Sequence, residues 1–487
     1  MSTSTAELNA STATPRRPTD LYRVLLLSPL SKSGDKLLVA AKRPPLTLPC
    51  VEIPKWERVA ENMNAAVRKR YGMSAICLFT PDVSDNTTDI DCPLYQVMVA
   101  REDNCAPPEE MYWLPIGSFS DQSFADPQDF SAIKNALRQT SEPQNERAER
   151  PFAKLGWLEE LLCWIQHQID PHGLRLNGEL RQLNASPTFA LLRLETNGPA
   201  LWFKAVGKPN LREFSISIVL AKLFPGFVPT IIATHPVWNG WLATESPGST
   251  LEEVWDACVW ERTAQTLAEL QIASINKTHD LLDAGCKDLT ISFLVSVVDP
   301  FFEVMPVLME RQQKASPQPL DREYLQTLAQ QIKEVLSEWA DLDIPDTLGH
   351  LDFNPGNIVC SADQCVFLDW AEAFVGPPFL TLEYSRVHLT KQDHGDLTLD
   401  SAVKFAYARK WASELAADVV EKAQVLAPIL AVFAYAAAQE QWRDGAARFD
   451  PSSAAYLRAL TRRMQKEMWR LPQKTQHPIA AHCSKSW

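Results

Sequence analysis

No stretch of this chain keeps its apolar residues together for the roughly 18 to 20 positions that a membrane-spanning helix needs, which argues against a membrane span. Ten cysteines are present, but no two have the Cys-x-x-Cys spacing. They sit among apolar neighbours, as in Leu162-Cys163-Trp164 and Ile76-Cys77-Leu78. That arrangement predicts buried free thiols and argues against a locally built zinc site, a disulfide framework and thiol redox chemistry. No repeat with a period of about 20 to 50 residues is visible, so a solenoid or propeller is not expected. Positive charge is in the minority: the net charge is −13, which works against non-specific attraction to nucleic acid or anionic lipid. This acidity is foremost a solubility device, and it would also suit a cationic substrate. Residues 1–19 have no apolar centre of the kind a secretory signal carries, and they read as a flexible tail, so the expected location is cytoplasmic.

What is present is length and a globular composition. The 487 residues, 46% hydrophobic and 22% charged, suit a soluble protein of two or three domains. Two apolar runs, Tyr22 to Leu27 and Lys36 to Ala41, flank a Ser/Gly/Asp turn and predict a hairpin. A helix is expected from about Pro54 to Tyr71, with Val59, Met63, Ala66 and Val67 on one face and Gly72 as its C-terminal cap. Strands follow at 75–79 and 94–99 around a polar loop at 82–91, and Met111 to Pro115 closes the unit. The charged stretch 140–150 reads as a linker or exposed helical bridge. Beyond a helix at 157–169, strands are expected at 180–183, 188–194 and 201–206, with a helix at 212–224. The rest is mainly helical, with amphipathic stretches at 250–275, 321–341 and 400–445 around a short β-like region at 357–370.

The most informative residues lie in TLGHLDFNPGNIVCSADQCVFLDW, residues 347–370. The segment combines His350-x-Asp352, Asn357 five residues after that Asp, and Asp369-Trp370 after a short apolar strand. In such a loop one Asp can orient the proton of an attacking hydroxyl, while an Asn and a second Asp hold magnesium against nucleotide phosphates. The apolar pairs Ile358-Val359 and Val366-Leu368 predict the hairpin that would point Asn357 and Asp369 at one spot.

On these residues the chain resembles the aminoglycoside phosphotransferase and choline kinase superfamily, relatives of the protein kinases. The resemblance covers roughly residues 175–445. It implies an α+β, bilobal protein kinase-like fold with ATP between the lobes. Asp352 would be the catalytic carboxylate, Asn357 and Asp369 the magnesium ligands, and His350 would support the loop from behind. Lys204, in Leu201-Trp202-Phe203-Lys204-Ala205-Val206, matches the strand lysine that neutralises the α- and β-phosphates, and Glu213 matches the carboxylate that fixes it. Thr244 would lie near the adenine, and Ser186 and Thr188 in the segment covering the phosphates. That segment, residues 182–189, contains no glycine. After Asp369 the family often shows Gly-x-Pro and then Asp-Leu-Ala; Thr381 stands where that Asp would be.

Residues 21–120 run strand, strand, helix, strand, strand and then Trp113-Leu114-Pro115, an order that resembles a small Nudix-like α/β/α domain. The glutamates of the Nudix metal helix are replaced here by Ala66, Lys69 and Arg70. Cations at ligand positions repel a divalent metal, so Nudix catalysis is not expected from that helix. A scaffold, or a sensor that binds an anion through Arg68, Lys69 and Arg70, remains open beside a plain solvated basic face.

The expected organisation is therefore a tail (1–19), a Nudix-like domain (20–120), a linker or bridging helix (121–156), a kinase-like N-lobe (157–246), a helical C-lobe (247–470) and a second tail (471–487). The expected function is transfer of the γ-phosphoryl group of ATP, with magnesium, to a hydroxyl of a small molecule. The alternatives are a catalytically silent nucleotide-binding scaffold and a Nudix-type pyrophosphohydrolase drawing on Glu52, Glu57 and Glu61. Trp370, Glu372, Trp411 and Trp442 read either as core or as the lining of a cation pocket.

Overall fold

A computed structural model describes residues 18–29, 35–81, 93–101, 107–140, 149–392 and 397–472. The expected tails at 1–17 and 473–487, the turn at 31–34, the polar loop at 82–91 and most of the charged stretch, at 141–148, lie outside the described residues. The described residues fall into two compact units: one up to residue 211 together with 231–245, the other 212–230 together with 246 onward.

In the first unit Thr19–Leu27 (β1), Lys36–Val39 (β2), Cys50–Pro54 (β3), Ala75–Phe79 (β4), Leu94–Ala100 (β5) and Tyr112–Pro115 (β6) make a six-stranded sheet. Its order is β4-β5-β1-β2-β6, with β3 also paired to β1. β1 and β5 run parallel with Leu25 opposite Val97, while β1–β2 and β2–β6 are antiparallel. Because side chains alternate along a strand, Val24 and Leu26 pack with Met63 and Val67 of the helix Val59–Tyr71 (α1), and Leu25 and Leu27 share a cluster with Ala132, Ile133 and Ala136 of Pro127–Thr140 (α2). Helices on both faces explain why β1 reads as an unbroken apolar run. α1 starts five residues later than expected, after Trp56 takes a left-handed backbone at φ 65, and it ends on Gly72 at φ 68, whose N–H bonds to the Arg68 carbonyl.

The helix Trp157–Ile169 (α3) carries the same apolar cluster onto a second sheet. That sheet is built from Leu176–Ala185 (β7), Ala190–Thr196 (β8), Leu201–Ala205 (β9), Ile231–His235 (β10) and Gly240–Thr244 (β11), in the antiparallel order β10-β11-β9-β8-β7. Buried Gln182 of β7 joins the two sheets, accepting from the Cys77 N–H at 2.8 Å and donating to the Cys77 carbonyl at 2.9 Å. One apolar cluster thus spans both sheets of the first unit, and the stretch expected as a linker contributes a packed helix to it.

The second unit contains the helices Arg212–Leu223 (α4), Ala257–Ser274 (α5), Thr278–Asp283 (α6), Ile291–Glu310 (α7), Arg322–Ala340 (α8), Leu380–Gln392 (α9), Leu397–Trp411 (α10), Ala417–Ala437 (α11) and Pro451–Arg470 (α12). Between them lie the short strands Ser249–Thr250 (β12), Lys287–Asp288 (β13), Thr347–His350 (β14), Ile358–Cys360 (β15), Cys365–Phe367 (β16) and Ala373–Gly376 (β17), in the sheets β12-β15-β16 and β13-β17-β14. Asp256 and Asp321 cap α5 and α8 by accepting backbone N–H bonds from the first turn. α7 and α11 are long and apolar enough, by length and composition, to cross a membrane, with mean hydropathies of 1.8 and 1.5. The expectation of no such stretch was drawn from uninterrupted runs, and Ser296, Asp299 and Glu303 interrupt α7. Much of each helix is buried in the unit, through residues such as Leu294, Phe301, Met305, Leu430 and Phe433.

Candidate functional site

β14 pairs antiparallel with β17, placing His350 opposite Ala373, and its geometry depends on Gly349: a Cβ there would stand 2.1 Å from the Phe374 ring. The chain leaves the strand at His350 and enters a loop fastened from several sides. The Leu351 N–H bonds to the Glu372 carbonyl at 3.0 Å, and the buried Phe353 ring packs edge-on against Phe367, 5.1 Å between centroids.

Within the loop, Asp352 is exposed and its carboxylate is gripped at both oxygens. Asn354 Nδ2 donates to Oδ1 at 2.9 Å, and Asn357 Nδ2 donates to Oδ2 at 3.2 Å and to the Asp352 carbonyl at 3.0 Å. Both partners of the Asn357 amide nitrogen are acceptors, which fixes the orientation of that amide and leaves Oδ1 as its remaining coordinating atom. Asn354 also accepts from the Gly356 N–H at 2.9 Å, forming the turn.

His350 is buried, and both its ring nitrogens meet main chain. Nδ1 accepts the Asp352 N–H at 3.1 Å, and Nε2 faces the Leu368 carbonyl at 3.0 Å. A carbonyl only accepts, so Nε2 carries the hydrogen and the ring is the neutral tautomer. Burial pushes its pKa down in the same sense. The ring thereby ties the start of the loop to the residue before Asp369, and neither nitrogen is left for a substrate proton. The His350 N–H donates to Thr381 Oγ1 at 3.0 Å, so the residue standing in place of the expected Asp does make a contact with the loop.

Asn357 and Asp369 flank the β15–β16 hairpin, where Ile358 opposes Phe367 and the Leu368 N–H bonds to the Asn357 carbonyl at 2.8 Å. Asp369 is exposed and left-handed at φ 60, a conformation Asp tolerates better than most residues. The Sγ atoms of Cys360 and Cys365 lie 2.7 Å apart across the same hairpin, both buried and unlinked. The oxygens of Asn357 and Asp369 are the hard donors magnesium takes, and the fixed amide of Asn357 is compatible with that role.

The remaining expected residues are placed as follows. Glu213 is buried in the first turn of α4. Lys204 lies on β9 opposite Trp241 of β11, with its Nζ 5.8 Å from the Trp241 ring centroid, and Thr244 ends β11 opposite Leu201. Ser186 and Thr188, at the β7–β8 turn, line a cavity of about 650 Å³ in the first unit, together with Lys208 and the residues from Trp56 to Ala60 that lead into α1. Lys204 and Thr244 are not on its wall. Ser186 Oγ accepts from the N–H groups of Thr188 at 3.2 Å and Phe189 at 3.0 Å. Trp370, Trp411 and Trp442 are buried in the core, and Glu372 is held by Lys287 at 2.5 Å, so they do not form a cation pocket. Of the glutamates considered for pyrophosphate cleavage, Glu61 is paired with Arg181, and among the described residues no three metal-ligating side chains cluster. Arg70 donates to the Cys50 carbonyl at 2.7 Å. Asn354 was missed from the sequence, although Asn before Pro-Gly is a turn signal.

A second cavity, of about 720 Å³, opens in the second unit with Asp352 and Phe353 on its wall and α9, α11 and α12 around it.

Residues 228–380, which include Asp352, Asn357 and Asp369, match the sequence profile of a family described as the phosphotransferase enzyme family. Curated proteins give no match. Among solved structures, an ethanolamine kinase from Plasmodium vivax has 13% identity over 67% of this chain and 94% of its own, at a TM-score of 0.41. A choline kinase from Cryptosporidium parvum has 12% identity over 64% and 96%, at 0.44. A macrolide 2'-phosphotransferase from Brachybacterium faecium has 17% identity over 61% and 98%, at 0.38.

Proposed function

We propose that the chain is an ATP-dependent phosphotransferase that moves the γ-phosphoryl group to a hydroxyl of a small molecule. The observation that carries this reading is the loop of Asp352, Asn354 and Asn357 inside the segment matched by the phosphotransferase profile. Asp352 presents a carboxylate whose two oxygens are each fixed by one amide, and such a group can orient an acceptor hydroxyl and accept its proton as the new P–O bond forms. Asn357 and Asp369 would hold magnesium, which when bound neutralises charge on the nucleotide phosphates. His350 positions the loop through main-chain bonds and exchanges no proton with substrate. Lys204 is assigned to the phosphates, Glu213 to supporting that lysine, Ser186 and Thr188 to the turn over the phosphates, and Thr244 to the adenine.

One observation favours a silent nucleotide-binding scaffold instead. The N–H groups of Thr188 and Phe189, which a phosphate would use in a glycine-poor loop, are already bonded to Ser186 Oγ. For residues 20–120 we propose a Nudix-like brace without metal chemistry, based on the α/β/α layering and on Ala66, Lys69 and Arg70 in the metal helix.

The test is ADP release with magnesium across aminoglycosides, choline-like amines, amino alcohols, sugars and hydroxy acids, with Asp352→Asn alongside. Acceptor-dependent release abolished by the substitution is the expected result. Nucleotide binding in calorimetry with no turnover on any acceptor would overturn transfer in favour of the scaffold.

A further inference from the structure

We infer that the acceptor is an anionic molecule, a hydroxyl compound bearing a carboxylate or phosphate, and that Arg463 recognises that group. The inference rests on the phosphotransferase reading, since it takes the cavity beside Asp352 as the acceptor site.

The cavity is large enough for a molecule of metabolite or drug size, at about 720 Å³. Its wall carries three carboxylates, Asp352, Glu383 and Glu467, and four Lys/Arg cations, Arg386, Lys404, Arg463 and Arg470. Ion pairing inside the wall decides what sign of charge remains for a ligand. Glu383 is held at both oxygens by Arg386 Nη1, at 2.6 and 2.5 Å. The same guanidinium grips Asp400, behind the wall, through Nε at 2.6 Å and Nη2 at 2.7 Å. Glu467 is held by Arg470 at 2.9 and 3.2 Å. Both carboxylates other than Asp352 therefore already have a cation each.

One wall cation remains open, because Arg386 carries a single charge against both Glu383 and Asp400 and Lys404 is the second counter-ion of that group. Lys404 Nζ lies 3.9 Å from Asp400. Arg463 is exposed and has no hydrogen bond or ion pair among the described residues. A quaternary ammonium or polyamine would find the gripped carboxylate of Asp352 and the faces of the wall tyrosines, whereas an anion would find an open guanidinium suited to bidentate carboxylate or phosphate contact.

The rest of the wall suits the body of such a molecule. Tyr384 and Tyr435 lie 5.6 Å apart at 61°, and Tyr435 and Tyr456 lie 6.4 Å apart at 76°. The Tyr384 hydroxyl donates to the Ala431 carbonyl at 2.9 Å, so that ring is fixed. Burial and the neighbouring Tyr456 hydroxyl and Asp352 push the Tyr435 phenol up, keeping it a protonated donor. The rings offer apolar faces on the same wall that carries Asp352 and Arg463.

The experiment compares acceptors of matched skeleton in four arms: sugar acids, sugar monophosphates, neutral sugars and amino sugars with choline. ADP release is measured for the wild type and Arg463→Gln. The expected result is turnover in one of the two anionic arms, with KM raised about five- to tenfold by Arg463→Gln while kcat changes less than twofold, and with the effect shrinking at high salt. Which anionic arm responds identifies carboxylate or phosphate. Turnover confined to the cationic or neutral arm, with KM unmoved by Arg463→Gln, would overturn the inference and leave the phosphotransferase standing. If no arm releases ADP, thermal melting with inorganic phosphate and with tetramethylammonium chloride as probes decides separately. Stabilisation by phosphate in the wild type and its loss in Arg463→Gln supports the anion site; phosphate stabilisation unchanged in the variant, none in the wild type, or stabilisation by tetramethylammonium overturns it.

Discussion

Asn357 turns its amide nitrogen onto Asp352 twice, at 3.0 Å on the carbonyl and 3.2 Å on Oδ2, so one side chain fixes both the backbone and the carboxylate of the residue five positions before it. Asn357→Asp keeps the shape but places a carboxylate oxygen where the donor stood, facing a like charge. We expect ADP release to fall by at least about 100-fold, as for the loss of a group that positions a catalytic residue. Steady-state kinetics beside circular dichroism checks this, and a folded variant with near wild-type kcat would contradict the assignment.

Thr381 is fully buried and accepts the His350 N–H. Thr381→Val keeps the volume but leaves that N–H unpaired, at a cost of about 1–3 kcal/mol. Thr381→Ser keeps the acceptor and should melt near the wild type, while the Val variant melts several degrees lower. Equal melting of the two variants would show that the bond contributes nothing.

These contacts mark where the sequence was legible. The β1–β2 hairpin, α1 with its glycine cap, α3 and three strands of the second sheet, β7, β8 and β9, followed from apolar periodicity and turn residues, which are local signals. Asp352, Asn357 and Asp369 were singled out by spacing, and the β15–β16 hairpin brings Asn357 and Leu368 together as that spacing suggested. Thr381 as an acceptor for His350, and Gln182 as the link to Cys77, lay beyond reach because their partners stand 31 and 105 residues away in the chain. α7 was missed for a different reason: its apolar run is broken along the sequence by the exposed Asp299 and Glu303, and only a helical period gathers the apolar residues onto one face. The wall charges beside Asp352 come from α9, α10 and α12 and their pairing is tertiary, so the acidic net charge pointed toward a cation while the open Arg463 of that cavity points toward an anion.

Asp346, just before β14, is half-buried near Asp288, and burial followed by that neighbouring charge pushes its pKa up from 3.8 to about 6. A carboxyl whose folded pKa exceeds its unfolded one holds its proton more tightly when folded, so its contribution to stability is present below pH 3.8 and is lost as pH rises through about 6. Asp346→Asn removes the titration. The variant should melt a few degrees above the wild type at pH 7.5 and level with it at acid pH, and melting curves across that range check it. A variant less stable than the wild type at pH 7.5 would mean that the ionised carboxylate is held by a favourable contact.

Gln182 is the link whose loss should be felt furthest from its own strand. Its side-chain amide satisfies both the N–H and the carbonyl of Cys77, a residue buried on β4. Gln182→Leu is close in size but supplies neither donor nor acceptor, so two buried main-chain groups lose their partner at about 1–3 kcal/mol each. Gln182→Glu retains the acceptor for the Cys77 N–H but sets a carboxylate oxygen against the Cys77 carbonyl, so it should be no better tolerated at neutral pH. The measurement is hydrogen exchange across residues 75–79 together with melting. Faster exchange in β4 in both variants, with the second unit unaffected, is expected; unchanged protection would mean that the apolar cluster alone holds the two sheets of the first unit together.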